Sequence, residues 1–176
     1  MKSWSVLTII CFVLSAAFAQ EPVPRFQKYP VLETGCAYYL PGPTDFELSF
    51  SEDGAKVITG EVLFGNFFFS TITVEFVEEM ELSIEDMPNV IEAYLNYLMG
   101  SMDIVESAGI GWGHTLDSHP TAIGAIDYWE DAEGTQFAVK AWCDSDHLAV
   151  LMLYGYEEYP YFNAQQMFLD GFRFPE

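Results

Sequence analysis

Two imidazoles and a carboxylate stand close together in the stretch Gly111-Trp112-Gly113-His114-Thr115-Leu116-Asp117-Ser118-His119-Pro120. His114, Asp117 and His119 are the donor types of a zinc site that keeps one position open for water, as in a metal-dependent hydrolase. The spacing H-x-x-D-x-H matches none of the strong metal motifs. The plainer alternative is a surface loop in which Gly109 ends a helix and the polar residues form turns. A second set of acids, Asp144 and Asp146 with Asp131 and Glu133, would make a weak calcium site if two hairpin tips met, although neither turn carries the full EF-hand pattern. Gly109-Ile110-Gly111-Trp112-Gly113 is glycine-rich like a phosphate cradle, but it follows a helix instead of opening one and has no lysine beside it. There is no G-x-S-x-G elbow and no convincing Ser/His/Asp order for nucleophilic catalysis. With 27 acidic residues in the chain, some carboxylate pair always falls at a glycosidase-like separation, so such pairs carry no information.

Aromatic residues are the other chemical signal. Phe67-Phe68-Phe69 cannot all face one side of a strand, so either both faces are covered or an apolar patch is exposed. Trp112 and the tyrosines Tyr154, Tyr156 and Tyr159 are candidates to rim a groove for a peptide, a sugar or a small apolar ligand. The competing reading packs these tyrosines at a domain edge with their hydroxyls in water. The leading expectation is a non-catalytic binding or interaction protein of unspecified protein or small-molecule ligand, without an obligate cofactor. The alternative is a metal-dependent hydrolase using His114, Asp117 and His119, with zinc or calcium as the candidate metals of the chain.

The N-terminus sets the compartment. Met1-Lys2 is followed by an apolar stretch over 6–18 and an Ala17-Phe18-Ala19 cleavage pattern before Gln20, which reads as a secretory signal peptide over residues 1–19. The apolar stretch is shorter than the roughly 20 residues of a membrane span, so the expectation is a secreted or periplasmic protein that leaves the membrane after cleavage. The formal net charge is −21, and removal of Lys2 with the leader makes it one unit more negative. Phosphate backbones and anionic head groups repel such a chain, which sets aside nucleic acid as a partner. The acidity itself has two readings: a solvated surface suited to salt, or a surface that binds cations or a basic partner. Beyond the leader, Cys36 and Cys143 remain. An oxidising compartment lets them pair across a loop of roughly a hundred residues, a constraint that stabilises by about 4 to 5 kcal/mol before strain. Two buried free thiols are the alternative.

These residues need elements to position them. Residues 20–34, rich in proline and polar side chains, read as an extended lead-in to one domain over 35–176. Strands are expected at 36–40, 46–50, 56–64 and 67–77, with Ser51-Glu52-Asp53-Gly54 as a hairpin turn. The period then changes. Ser83-Ile84-Glu85-Asp86 resembles a capping box, and Val90, Ile91, Tyr94, Leu95, Leu98, Met102 and Val105 follow at helical spacing, predicting one long helix that ends before Gly109. Strands at 122–130, 135–143 and 147–154 and a short helix at 163–170 complete an α+β domain, an antiparallel sheet flanked by a long central helix and a short C-terminal one.

That order, with Tyr39-Leu40-Pro41-Gly42-Pro43 closing the first strand and Asn163-Ala164-Gln165-Gln166-Met167-Phe168-Leu169-Asp170-Gly171-Phe172-Arg173-Phe174 closing the chain, resembles the PsbP-like fold. The resemblance implies a PsbP-like sandwich and a binding or assembly role without catalysis. It does not transfer the family's chloroplast or nuclear roles, because this leader is secretory and the chain lacks a basic surface.

Overall fold

The computed structural model describes residues 23–77 and 82–176, so the expected leader lies outside the described residues. Among the described residues the order is β1 (Gln27–Pro30), β2 (Ala37–Leu40), β3 (Glu47–Phe50), β4 (Lys56–Phe64), β5 (Phe67–Glu75), α1 (Met87–Ser101), β6 (Ile104–Ser107), β7 (Gly111–Leu116), β8 (His119–Asp131), β9 (Gln136–Cys143), β10 (His147–Gly155) and α2 (Phe162–Leu169). Eight strands form one sheet in the order β3-β4-β5-β10-β9-β8-β6, with β7 also on β8, while β1 and β2 form a separate hairpin. Two antiparallel meanders, β3–β5 and β8–β10, meet where Val150 of β10 lies between Ile72 of β5 and Ala141 of β9.

The middle strands explain the layering. Phe137-Ala138-Val139-Lys140-Ala141-Trp142-Cys143 and Leu148-Ala149-Val150-Leu151-Met152-Leu153 are apolar at nearly every position, so neither face of β9 or β10 can be left to water. On one face α1 buries Met87, Ile91, Leu95 and Leu98 against Val139, Ala141, Cys143, Leu148 and Val150. The opposite face carries Phe67, Phe69, Ala138, Trp142, Leu151 and Leu153. It is covered by Tyr38 and Leu40 of the β1–β2 hairpin, Phe168 and Leu169 of α2, and Phe172 and Phe174 of the C-terminal tail. Tyr38 ties the hairpin down: its hydroxyl donates to the Ile72 carbonyl at 2.9 Å and shares a 2.7 Å hydrogen bond with Thr73. Among the described residues no helix is long and apolar enough to cross a membrane.

The expected α+β sandwich with a long central helix is corrected. Among the described residues the protein is mostly antiparallel sheet, 47% strand against 15% helix, and both helices are short. Helix α1 stops at Ser101: the Met102 amide closes the last turn on the Leu98 carbonyl, and Asp103 takes a left-handed φ of 52° that turns the chain away. Val105, assigned to the helix by its spacing, instead lies in β6, which pairs with the far end of β8. At the other end Ser83 donates to the Asp86 carboxylate at 2.6 Å and forms a turn before α1, and the N-cap residue is Asp86, without a side-chain cap. The glycine-rich link expected to be a loop is strand β7, and the lead-in contains β1.

Candidate functional site

The tyrosine-rich segment takes its shape from the end of β10. Gly155 faces the hairpin side, where a Cβ would stand 2.7 Å from the Phe67 ring, so only glycine lets that ring close over the strand end. The chain then leaves the sheet and folds back. Tyr159 sets its ring edge-to-face with Phe67 at 4.9 Å and Phe69 at 5.8 Å, and Tyr161 packs on Tyr159 at 5.8 Å. Such perpendicular contacts hold a ring in one orientation, because its positive edge meets a negative face. Helix α2 follows, burying Phe168 and Leu169 toward the sheet while leaving Phe162 64% exposed.

Between this segment and the sheet lies a groove of about 340 Å³, at the lower end of the range that holds small ligands. Ala138 and Leu153 line its sheet side, and Tyr128 (48% exposed), Tyr159 and Phe162 supply aromatic surface. Gln136 and Gln165 bring amides that can both donate and accept. Among the described residues that line it, the only charged side chains are Glu157 and Glu158.

The residues singled out from sequence are distributed as follows. Tyr159 is in the groove wall. Tyr154 borders the groove, but strand alternation turns its ring to the α1 face, stacked between Phe68 and Phe137 at 5.0 Å each. Its hydroxyl donates to Glu61 at 2.5 Å, and burial together with that carboxylate pushes its pKa well up. Tyr156 is 71% exposed beyond the groove. Trp112, on β7, pairs with Ala125 and does not line the groove.

His114, Asp117 and His119 are not brought together as a metal-binding set, and among the described residues no three such donors are arranged so that they could hold a metal ion. Asp117 is exposed in the tight β7–β8 turn. Nδ1 of His114 lies 2.9 Å from Nζ of Lys140, which is itself 4% exposed, 3.0 Å from Asp170 and 4.8 Å above the Trp142 ring. A lysine ammonium can only donate, so Nδ1 accepts and the imidazole is neutral. Burial and the Lys140 charge lower the His114 pKa against the opposing pull of Asp170. The network joins the end of α2 to the sheet. It requires Gly124, where a Cβ would meet the Trp142 ring at 2.2 Å.

His119 belongs to a different cluster. Its Nε2 lies 3.3 Å from Oδ2 of Asp144, whose other oxygen is 3.4 Å from Nδ1 of His147, and the His119 ring rests on Phe174 at 4.6 Å. That Nδ1 approach has ion-pair distance without hydrogen-bond direction. Burial opposes charge on His147, yet the Asp144 carboxylate and the Cys36 thiol outweigh it and raise its pKa to about 10. Burial likewise pushes Asp144 up, but His147 and the backbone N–H groups of Asp146 and His147, at 2.9 and 2.7 Å, hold it below its ordinary value. The result is a buried imidazolium–carboxylate pair.

Cys36 and Cys143 are free, buried thiols, in place of the expected disulfide. The sheet separates them: Cys143 points to the α1 core, while Cys36 lies in the hairpin-side core. Burial, aided by Asp144, raises the Cys143 thiol to about 12, so it is no nucleophile. The calcium proposal fails on topology as well. The turns at 131–135 and 144–147 sit at opposite ends of β9, about 25 Å apart, and Asp131 and Asp144 use their oxygens on amides of their own turns.

Sequence reasoning missed Tyr128, Phe162 and the two glutamines, which reach the groove from β8, β9 and α2. It also missed the Lys140 and His147 networks. Lys140, a lone charge within the apolar run of β9, was the one readable sign of a buried polar group. Compared with known proteins, the chain matches no family model, and no curated protein matches it.

Proposed function

We propose that this chain is an exported, non-catalytic binding protein whose ligand sits in the groove between α2 and the β8–β10 end of the sheet. The supporting observation is the pairing of a rigid ring with exposed ones: Tyr159 is locked by Phe67 and Phe69, and Tyr128 and Phe162 present uncommitted aromatic surface beside it. A site already in its binding geometry loses little conformational freedom on binding, and its aromatic walls supply area. Catalysis draws no support from the imidazoles, because each is engaged in a network that joins elements of the fold.

Ligand-observed NMR with a library of small polar and aromatic compounds tests this reading. Compounds that bind the wild-type protein should lose affinity for Phe162→Ala and Tyr128→Ala, both exposed positions whose change leaves the core intact. Hits indifferent to both substitutions would place binding elsewhere and end the proposal.

A further inference from the structure

We infer that the ligand of this groove is a small organic cation, an alkyl or quaternary ammonium compound. The inference rests on the groove reading above and adds the charge of its occupant. Three observations point the same way. Aromatic faces attract cations through their ring quadrupole, and Tyr128, Tyr159 and Phe162 offer rings from a strand, the post-β10 segment and a helix, so a compact ligand meets them from several sides. Among the described residues Glu157 and Glu158 are the only charged groups on the lining, so no cation there competes with the ligand or welcomes an anion. The whole chain carries a formal net charge of −21, which concentrates cations and repels anions at every approach.

The alternatives fit less well. A carboxylate or phosphate ligand would face two glutamates with no lysine, arginine or histidine among the described lining residues to balance it. A neutral apolar ligand would gain the rings and nothing from the glutamates. A cation uses both, and a methylated or alkylated one is weakly enough hydrated to exchange water for aromatic faces. The volume of about 340 Å³ suits a small molecule rather than a folded partner.

The test compares choline with its uncharged dimethylbutanol isostere, in which carbon replaces nitrogen, by titration calorimetry on the purified protein at low and high salt. Choline should bind more tightly by on the order of tenfold, and raising the salt should narrow the gap because exposed carboxylates are screened. The double substitution Glu157→Gln with Glu158→Gln should reduce the salt dependence and the preference, leaving the part that comes from the net charge of the chain. Phe162→Ala should weaken choline further. All three positions are exposed, so the variants fold, and circular dichroism checks it. Equal affinity for choline and the isostere, or a preference untouched by the glutamine pair, overturns the cation assignment while leaving the groove reading in place. Failure of choline and isostere alike overturns the cation assignment, and the groove reading then stands or falls on the compound library.

Discussion

The two faces of the sheet are built differently. Under α1 the core is made largely of aliphatic side chains, with Met87, Met152, Trp129, Phe137 and Cys143 among them, and the buried Asp127 takes hydrogen bonds from Ser107 at 2.7 Å and from the Trp129 indole at 2.8 Å. Under the hairpin, α2 and the tail, the core is interrupted by Tyr38, Thr71, Thr73, Lys140 and His147, most of them tied to a group on another element. Apart from the Asp127 contacts, the α1 face is held by apolar burial, which is non-directional and tolerates sliding. The other face has to dock a hairpin, a short helix and a tail that bury little surface each. Directed polar contacts give each of them one position, and the groove lies among these small pieces because they do not cover the sheet continuously.

That contrast is sharpest at Asp144. Asp144→Ala removes the counter-charge of His147 and the acceptor of the Asp146 and His147 amides, and about 3–5 kcal/mol of stability should be lost in urea unfolding at neutral pH. A loss below about 1 kcal/mol would mean that the pair contributes little to the hairpin face. On the α1 face, Leu95→Ala should lower stability by about 3 kcal/mol through a cavity, with no dependence on pH or salt. If its effect varied with pH, the division between a dry face and a charged one would be wrong.

The pH dependence is the most diagnostic. His147 has its folded pKa raised to about 10, above the ordinary value of about 6.5. Its stabilisation is therefore complete below about pH 6.5 and is lost as pH rises toward 10. Asp144 has a lowered pKa, so its share is present above the usual aspartate range and is lost on acidification through the depressed value. Unfolding free energy should fall between neutral pH and pH 10 in the wild type, and this limb should flatten in His147→Gln. An unchanged limb would show that the titration belongs to another group.

Local pattern made much of the sheet legible. The strand expected at 56–64 is β4, and the one expected from His147 is β10, because alternation and apolar runs bounded by turn residues are short-range signals. The same method overextended α1: Val105 continues the helical spacing, and nothing in a period reveals that Asp103 will turn left-handed so that β6 can reach β8. At the site, Tyr159 was readable as an edge tyrosine. Tyr128 and Phe162 were not, since their meeting depends on where α2 docks.

Sequence by itself determined the acidity, the apolar character of β9 and β10 that demands two covering layers, and the stock of rings and imidazoles. Tertiary structure decided their partners. It put Cys36 and Cys143 on opposite sides of the sheet, gave His114 to Lys140 and His119 to Asp144, and left Glu157 and Glu158 beside aromatic rings. The reason is one of range. Side-chain periodicity is set by neighbours along the chain, whereas contact between a strand, a turn and a helix depends on sheet order and register, which only the assembled fold supplies.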